Sequence, residues 1–439
     1  MKQNIRYFSG LCAVILLLTY LMTVSASSAS LTDVTCSNGD KAYAIYLYNV
    51  TEEKGLYEQN IDKSISPAST VKLMTALVAF DCIPDIKKEI TITQSMIEGM
   101  ETNVMKLSVG ESISYENLLI GLVCGGYNDA AQALAVATCG SVGAFVAKMN
   151  EKAGKLGASN TVYKEPTGID DSASTTAYDT MLVAREFMKN EILTSFSSLP
   201  SYKIPATNKS NERHIYNRNA LKSSYSTVNY LNPNAIGMNA GMTSGGGYCV
   251  VTGVANGDMK YVCVVMGAKH GSESNITYSY AIANEFIAQI KRFDARPIIS
   301  LDEEVGTLPI EGASLNKESV SLRPSRELTA YLPQDYETTG LLEYTYVYSV
   351  DKVIAPVEEG TVVGKIVVSY DGEQVGVCDI VIAETVEREL IIYLLFVIRS
   401  FLGSRVFFLI IISFIVLLFI KFVIIDKPKH KKSKYVKRF

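Results

Sequence analysis

Ser66-Pro67-Ala68-Ser69-Thr70-Val71-Lys72 is the stretch whose residue types and spacing could do chemistry. Ser69 and Lys72 are three apart, so on a helix their side chains share a face. Ser66 is a good N-cap and Pro67 suits the first helical position. Ser69 then falls in the first turn, near unpaired backbone N–H groups and the positive end of the helix dipole. The following run, Leu73-Met74-Thr75-Ala76-Leu77-Val78-Ala79-Phe80, is apolar almost all round. Such a helix is expected to be buried and to carry Lys72 inward. Burial disfavours the ammonium form, and a neutral amine beside a hydroxyl is a general base beside a nucleophile. The competing explanation is chance, because Ser-x-x-Lys alone is a common pattern.

The elements that must position this pair are legible in outline. Tyr43 to Asn49 alternates as a strand does, and Ser69 to Asp81 reads as a helix. Helices are expected over Tyr115 to Leu122, Asp129 to Thr138, Val142 to Leu156, Thr176 to Lys189 and Tyr280 to Ile290. Tyr248 to Gly253 and Tyr261 to Gly267 are β-rich, with the hairpin signal Asn256-Gly257 between them. Strands at both ends and helices in the middle imply an α/β (α+β) layer with an antiparallel sheet packed on helices. Beyond Phe293-Asp294-Ala295-Arg296-Pro297, short alternating runs and turns such as Asp371-Gly372 read as a small β-rich domain.

Composition bounds the function. The 439 residues are 48% hydrophobic and 20% charged, with 12 Pro and 30 Gly, which is globular and allows two or three domains. Net charge is −4, although Lys427, Lys429, Lys431, Lys432, Lys434, Lys437 and Arg438 crowd the C-terminus, so the body is more acidic still. That argues against a nucleic-acid partner, which requires a basic face. Only three His occur, at 214, 270 and 430, so a multi-His metal site or a Ser-His-Asp triad is not expected. Cysteines 12, 36, 82, 124, 139, 249, 263 and 378 are spread too thinly for a disulfide framework. Cys249 and Cys263 flank the hairpin and could pair or could be small apolar fillers.

Both ends of the chain are apolar. Lys2 and Arg6, an apolar run from Leu11 to Val24 and the small residues to Ser30 form a secretory signal over 1–29; an uncleaved anchor is the alternative. Val406 to Ile425 is interrupted only by Lys421 and has the length of a membrane span, with a buried core helix as the alternative. The basic tail, 426–439, then belongs on the cytoplasmic side. Residues 390–405 could lie along the outer membrane surface, and everything between the two ends outside it.

Ser66 to Lys72 resembles the active-site segment of the serine D-alanyl-D-alanine carboxypeptidases, the low-molecular-mass penicillin-binding proteins. Tyr127-Asn128-Asp129-Ala130-Ala131 is similar to the second motif region of that family. Similarity continues through Leu156-Gly157-Ala158-Ser159-Asn160-Thr161, Glu165-Pro166-Thr167-Gly168-Ile169-Asp170 and Thr176-Ala177-Tyr178-Asp179. Ile354-Ala355-Pro356-Val357 through Gly364 is similar to its C-terminal β domain. The resemblance implies a penicillin-binding transpeptidase-like catalytic domain over 31–293 and a β-rich domain over 297–386. It implies Ser69 as nucleophile, Lys72 as base, Asn128 as a catalytic amide, and the N–H groups of Ser69 and Met242 as the oxyanion hole. Gly126, Asn239, Ala240, Gly241 and Met242 would bind the substrate, a peptidoglycan stem peptide ending in D-Ala-D-Ala, with β-lactams as further ligands. No metal or organic cofactor is implied.

Two motifs depart from the family. Its Ser-x-Asn is Gly126-Tyr127-Asn128 here, without the hydroxyl, and its Lys-Thr-Gly is Asn239-Ala240-Gly241, without the cation. A charge-assisted contact is worth ~1.5–3 kcal/mol, so its loss is expected to cost roughly tenfold to a hundredfold. Lys269, one strand later, is read as a solvated loop lysine, Glu165 as a turn residue, and Asp170-Asp171 as loop caps. Two functions therefore compete: a membrane-tethered carboxypeptidase trimming terminal D-Ala, and a catalytically impaired relative acting as a cell-wall binding or scaffold module. A β-lactamase fits less well, given the extra β domain and the membrane span.

Overall fold

The computed structural model describes residues 34–224, 228–271, 275–314 and 316–421. The expected signal and basic tail lie outside them. The chain forms two compact units, one from 34–295 with Tyr331–Asp335, the other from Arg296–Ala330 with 336–421.

The first unit is built on a five-stranded antiparallel sheet of β1 (Ala44–Asn49), β2 (Lys54–Gln59), β3 (Ala235–Thr243), β4 (Gly247–Asn256) and β5 (Met259–Ala268), in the order β2-β1-β5-β4-β3. The expected hairpin joins β4 to β5: Asn256 pairs with Met259, and Gly257 takes the left-handed φ of +57° that the turn needs. Side chains alternate across β5, so Val262, Val264 and Met266 face one core while Cys263 and Val265 face another. The first core holds α1 (Val71–Cys82), α2 (Tyr115–Val123), α3 (Asn128–Cys139), α4 (Val142–Lys155), α5 (Ala177–Lys189) and α6 (Glu191–Ser198). The second is closed by α7 (Tyr278–Ile290), through Ile282, Phe286 and Ile290. Side-chain oxygens of Ser114, Ser141, Thr176 and Asn190 cap α2, α4, α5 and α6.

The same alternation removes one sequence expectation. Cys249 packs with the first core and Cys263 with the second, so the sheet lies between their thiols and both are free. They are fillers, not a pair.

The second unit carries a six-stranded sheet of β6 (Gly306–Glu311), β7 (Ser319–Pro324), β8 (Leu342–Tyr348), β9 (Val353–Ile354), β10 (Val362–Tyr370) and β11 (Glu373–Ile382), ordered β8-β10-β11-β7-β6-β9. Asp371-Gly372 makes the β10–β11 turn with both φ values positive. Two helices follow, α8 (Leu390–Leu402) and α9 (Arg405–Ile420). Gly403 and Ser404 separate them, and the Ser404 hydroxyl caps α9 by accepting from the Phe407 N–H. No single described helix is long and apolar enough to cross a bilayer. Tyr393–Leu402 and Arg405–Ile420 reach that length and composition only together, with a bend of 57°.

A buried ion pair ties a small hairpin to the segment before α2. The hairpin Ser201–Ile204/Arg213–Tyr216 places the Arg213 guanidinium on Glu111, donating at 2.7 and 2.8 Å to a carboxylate that is 0% exposed. Removing one partner of such a pair strands the other charge in the interior. Arg213→Met is expected to lower unfolding free energy by ~3–5 kcal/mol, measured by urea denaturation. A loss below ~1 kcal/mol would mean that Glu111 finds solvent and the pair is dispensable.

Candidate active site

Ser69 does not begin the α-helix. Ala68–Thr70 forms a single tighter turn, and α1 starts at Val71. Pro67 occupies the cap position with no side-chain bond, so Ser66 is not the N-cap expected from sequence. Its hydroxyl instead donates to Asp171 Oδ1 at 2.9 Å. Ala68 is held at φ +47°, which costs a residue with a Cβ on the order of 1–2 kcal/mol. Gly168 packs directly on it: a methyl at Gly168 would overlap the Ala68 carbonyl.

Lys72 is 1% exposed and, among the described residues, is one of the largest fully buried side chains. Its Nζ lies 3.4 Å from Ser69 Oγ and donates at 2.5 Å to the Thr167 carbonyl. Burial pushes the amine down to about 8, with an opposing pull from Glu165 and a further push from the Arg218 charge. A neutral amine has two N–H donors and one lone pair. With a donor spent on Thr167, the lone pair is free to face the Ser69 hydroxyl.

The Thr167 carbonyl is presented by a loop that folds around one carboxylate. Glu165 accepts from the N–H groups of Thr167 at 2.5 Å and Ile169 at 2.9 Å, from the Thr167 hydroxyl at 2.6 Å, and from the Gly168 N–H. It is the turn residue that its sequence context implied. Asp171 ties the same loop to the β3–β4 turn, accepting from Thr243 Oγ1, Ser244 Oγ and the Gly245 N–H. The bond from Thr243 leads the set that holds its carboxyl below the ordinary range.

Strand β3, at the sheet edge, brings the next group. A side chain at Gly241 would overlap Ser69 Cβ and lie 2.5 Å from Ser69 Oγ, so only glycine allows this approach. Asn239, two residues earlier in the strand, is buried and its Oδ1 has no hydrogen-bond partner. Ala240 is buried against the α7 core, and Met242 is 53% exposed. At the start of α3, Asn128 donates from Nδ2 to Thr102 O at 2.8 Å, leaving Oδ1 buried and unpartnered. Gly126 sits at φ +67°, its carbonyl accepting from Asn103 Nδ2 at 2.6 Å.

Ala240, Gly241 and Met242 line a cavity of about 350 Å³ together with Arg218, Tyr248 and Tyr280. Arg218 is a residue that the sequence reading passed over. Its Cβ and Cγ each lie 3.4 Å from where a Gly126 side chain would begin. The available signal was Asn217-Arg218-Asn219, one arginine between two residues that commonly pin loops. Lys269 is elsewhere: its N–H bonds to Lys41 O and its charge acts on Asp40. His214 and His270 are exposed and pack on Tyr216 and Tyr248.

Comparison with known proteins gives the family. Residues 37–270 match the family model described as D-alanyl-D-alanine carboxypeptidase, and 293–388 match penicillin-binding protein 5, C-terminal domain. The chain is 26% identical over 325 residues to the D-alanyl-D-alanine carboxypeptidase DacF of Bacillus subtilis, covering 73% of this chain and 79% of that one. It is 27% identical over 365 residues to DacC of Escherichia coli, covering 79% and 84%. The D-alanyl-D-alanine carboxypeptidase of Mycobacterium tuberculosis superposes with a TM-score of 0.53 at 28% identity, over 60% of this chain and 95% of that one. Penicillin binding protein 6B of Escherichia coli, at 21% identity, shares the fold with a TM-score of 0.56, over 81% and 98%. With over half its length matched by the peptidase model, the chain belongs to the D-alanyl-D-alanine carboxypeptidase family of low-molecular-mass penicillin-binding proteins.

Proposed function

We propose that this protein removes the terminal D-Ala from peptidoglycan stem peptides through an acyl-enzyme on Ser69. The observation that carries the reading is the buried Lys72 amine 3.4 Å from the Ser69 hydroxyl. The neutral amine takes the hydroxyl proton as Oγ attacks the carbonyl carbon of the penultimate D-Ala. The N–H groups of Ser69 and Met242 receive the oxyanion, an assignment supported by the contact of Gly241 with Ser69. The Lys72 ammonium returns the proton to the leaving nitrogen, and D-Ala departs. The amine then draws a proton from water as its oxygen attacks the ester carbonyl; the C–Oγ bond breaks, the ammonium returns the proton to Ser69 Oγ, and the shortened peptide leaves with a new carboxyl group. The unpartnered Oδ1 of Asn128 is an acceptor for a substrate N–H.

The rest of the chain suits action at a cell wall. The 1–29 segment acts as export signal, 31–293 as the catalytic domain and 297–386 as a β-rich domain. Residues 390–405 lie at the interface, 406–425 anchor the protein, and the tail, 426–439, stays in the cytoplasm. The exposed apolar side chains along α8 and α9 support the anchor.

Purified full-length protein in detergent is expected to release D-Ala from a pentapeptide ending in D-Ala-D-Ala, and Ser69→Ala to abolish release. Equal release by both proteins would reject the assignment. Protonated Lys72 cannot accept a proton, so activity is lost as pH falls. The acylation rate by penicillin should climb about tenfold per pH unit below about 8 and level off above it. A flat profile between about pH 6 and about pH 9 would contradict Lys72 as base. Gly241→Ala should slow penicillin acylation ~100-fold by displacing Ser69, and unchanged kinetics would show that the strand yields.

A further inference from the structure

We infer that Cys82 and Cys139 are a disulfide-forming pair that ties the C-terminal end of α1 to that of α3, with Lys148 of α4 presenting Cys82 to the oxidant. Each cysteine is the last residue of its helix. Both are free in this structure, and both are only partly buried. The two thiols are hydrogen-bonding neighbours, although they come from distant parts of the chain. Lys148 Nζ donates to Cys82 Sγ at 3.3 Å, and the Thr138 hydroxyl donates to Cys139 Sγ at 3.7 Å.

The surroundings differ from those of the other cysteines. Cys124, Cys249 and Cys378 are buried and spend their S–H groups on the main-chain carbonyls of Leu199, Gly246 and Arg326. Cys82 instead lines a surface cavity of about 330 Å³, with Lys148, Lys152 and Lys155 around it. Lys152 is paired with Asp81 at 2.6 Å and Lys155 with Glu151 at 2.6 Å, whereas Lys148 is aimed at sulfur. The bond to Cys82 leads the causes that hold the Lys148 ammonium above its ordinary range, so its charge persists at neutral pH. Thiol–disulfide exchange proceeds through a thiolate, and an ammonium held in place offsets the charge that the sulfur must carry. Burial first, and then the neighbouring Cys82, push the Cys139 thiol up, which leaves Cys82 as the attacking group.

The step balances with an external organic disulfide as oxidant. The Cys82 sulfur attacks one sulfur of that disulfide, forming a mixed disulfide and expelling one thiolate. The Cys139 sulfur then attacks the Cys82 sulfur, the bond to the oxidant breaks, and the second thiolate leaves. The two cysteines give up two electrons and two protons, and the oxidant becomes two thiols. Export, as proposed for this chain, brings the pair to a compartment where such oxidants persist. The location spares the catalytic machinery. Lys72 precedes Cys82 on α1 by ~15 Å at the helical rise. Asn128 begins the helix that Cys139 ends. The bond thus fixes the far ends of the two helices whose near ends carry Lys72 and Asn128, and it restricts the unfolded chain more than it alters the site.

Redox titration of the full-length protein in detergent tests this. Reduced protein would be incubated with oxidised glutathione, blocked with N-ethylmaleimide and mapped by mass spectrometry. A peptide pair joining Cys82 to Cys139, about 2 Da lighter than its reduced parts, is expected. Oxidised protein should melt about 4–10 °C higher than reduced protein, and Cys139→Ser should melt at the same temperature under both conditions. Lys148→Gln should slow closure of the bond about tenfold while leaving the melting shift intact. Glutathione persisting on Cys82 with Cys139 free, alkylation of both cysteines after oxidation, or a bond from Cys82 to Lys148 would overturn the inference. An unchanged rate in Lys148→Gln would overturn the part given to the lysine. Every readout is independent of turnover, so the result stands whether or not the chain releases D-Ala.

Discussion

A lysine with no water around it must be held by something other than its charge, and the rest of this site follows from that. Lys72 is buried because α1 is apolar on every side and is enclosed by α2, α3, α4 and α5. Desolvation makes the amine a usable base, and the Thr167 carbonyl keeps it pointed. That carbonyl stays in place because Glu165 gathers five donors of its own loop. Asp171 then ties the loop to both the residue three before the nucleophile and the turn after β3. Two carboxylates that look like catalytic acids are instead the frame that holds the Thr167 carbonyl against the lysine.

The departures from the family's motifs leave this frame untouched. Among the described residues, neither Gly126 nor Asn239 hydrogen-bonds to Lys72 or to the 165–171 loop. The nucleophile and base are organised by α1 and that loop, whereas Asn239 and Ala240 sit in β3 and Gly126 lies just before α3. The departures thus fall outside the hydrogen bonds that hold Lys72.

Much of this was legible in the residues. The Ser69–Lys72 spacing, the buried helix and the Asn256-Gly257 hairpin each follow from local rules, and each is present. Local rules missed what long-range contacts decide. Ser66 looks like a cap until Asp171, 105 residues away, claims its hydroxyl. Cys249 and Cys263 look like partners until strand alternation sends them to opposite faces. Val406 to Ile425 reads as one apolar run, yet among the described residues the helix over it is joined to α8 only across the break at Gly403-Ser404. For Arg218 the only signal was its two flanking asparagines, and its place depends on their bonds to three separate carbonyls.

The wall nearest the serine is main chain. Gly241 and Gly168 admit no side chain, Ala68 is pressed against one of them, and the lysine's partner is a peptide carbonyl. Mutation cannot easily remodel a surface that has no side chains to exchange. Variation in how tightly inhibitors are held is therefore channelled outward, to the rim residues Arg218, Met242 and Tyr248. Substitutions that tune this site are therefore expected at that rim rather than in the main chain around Ser69.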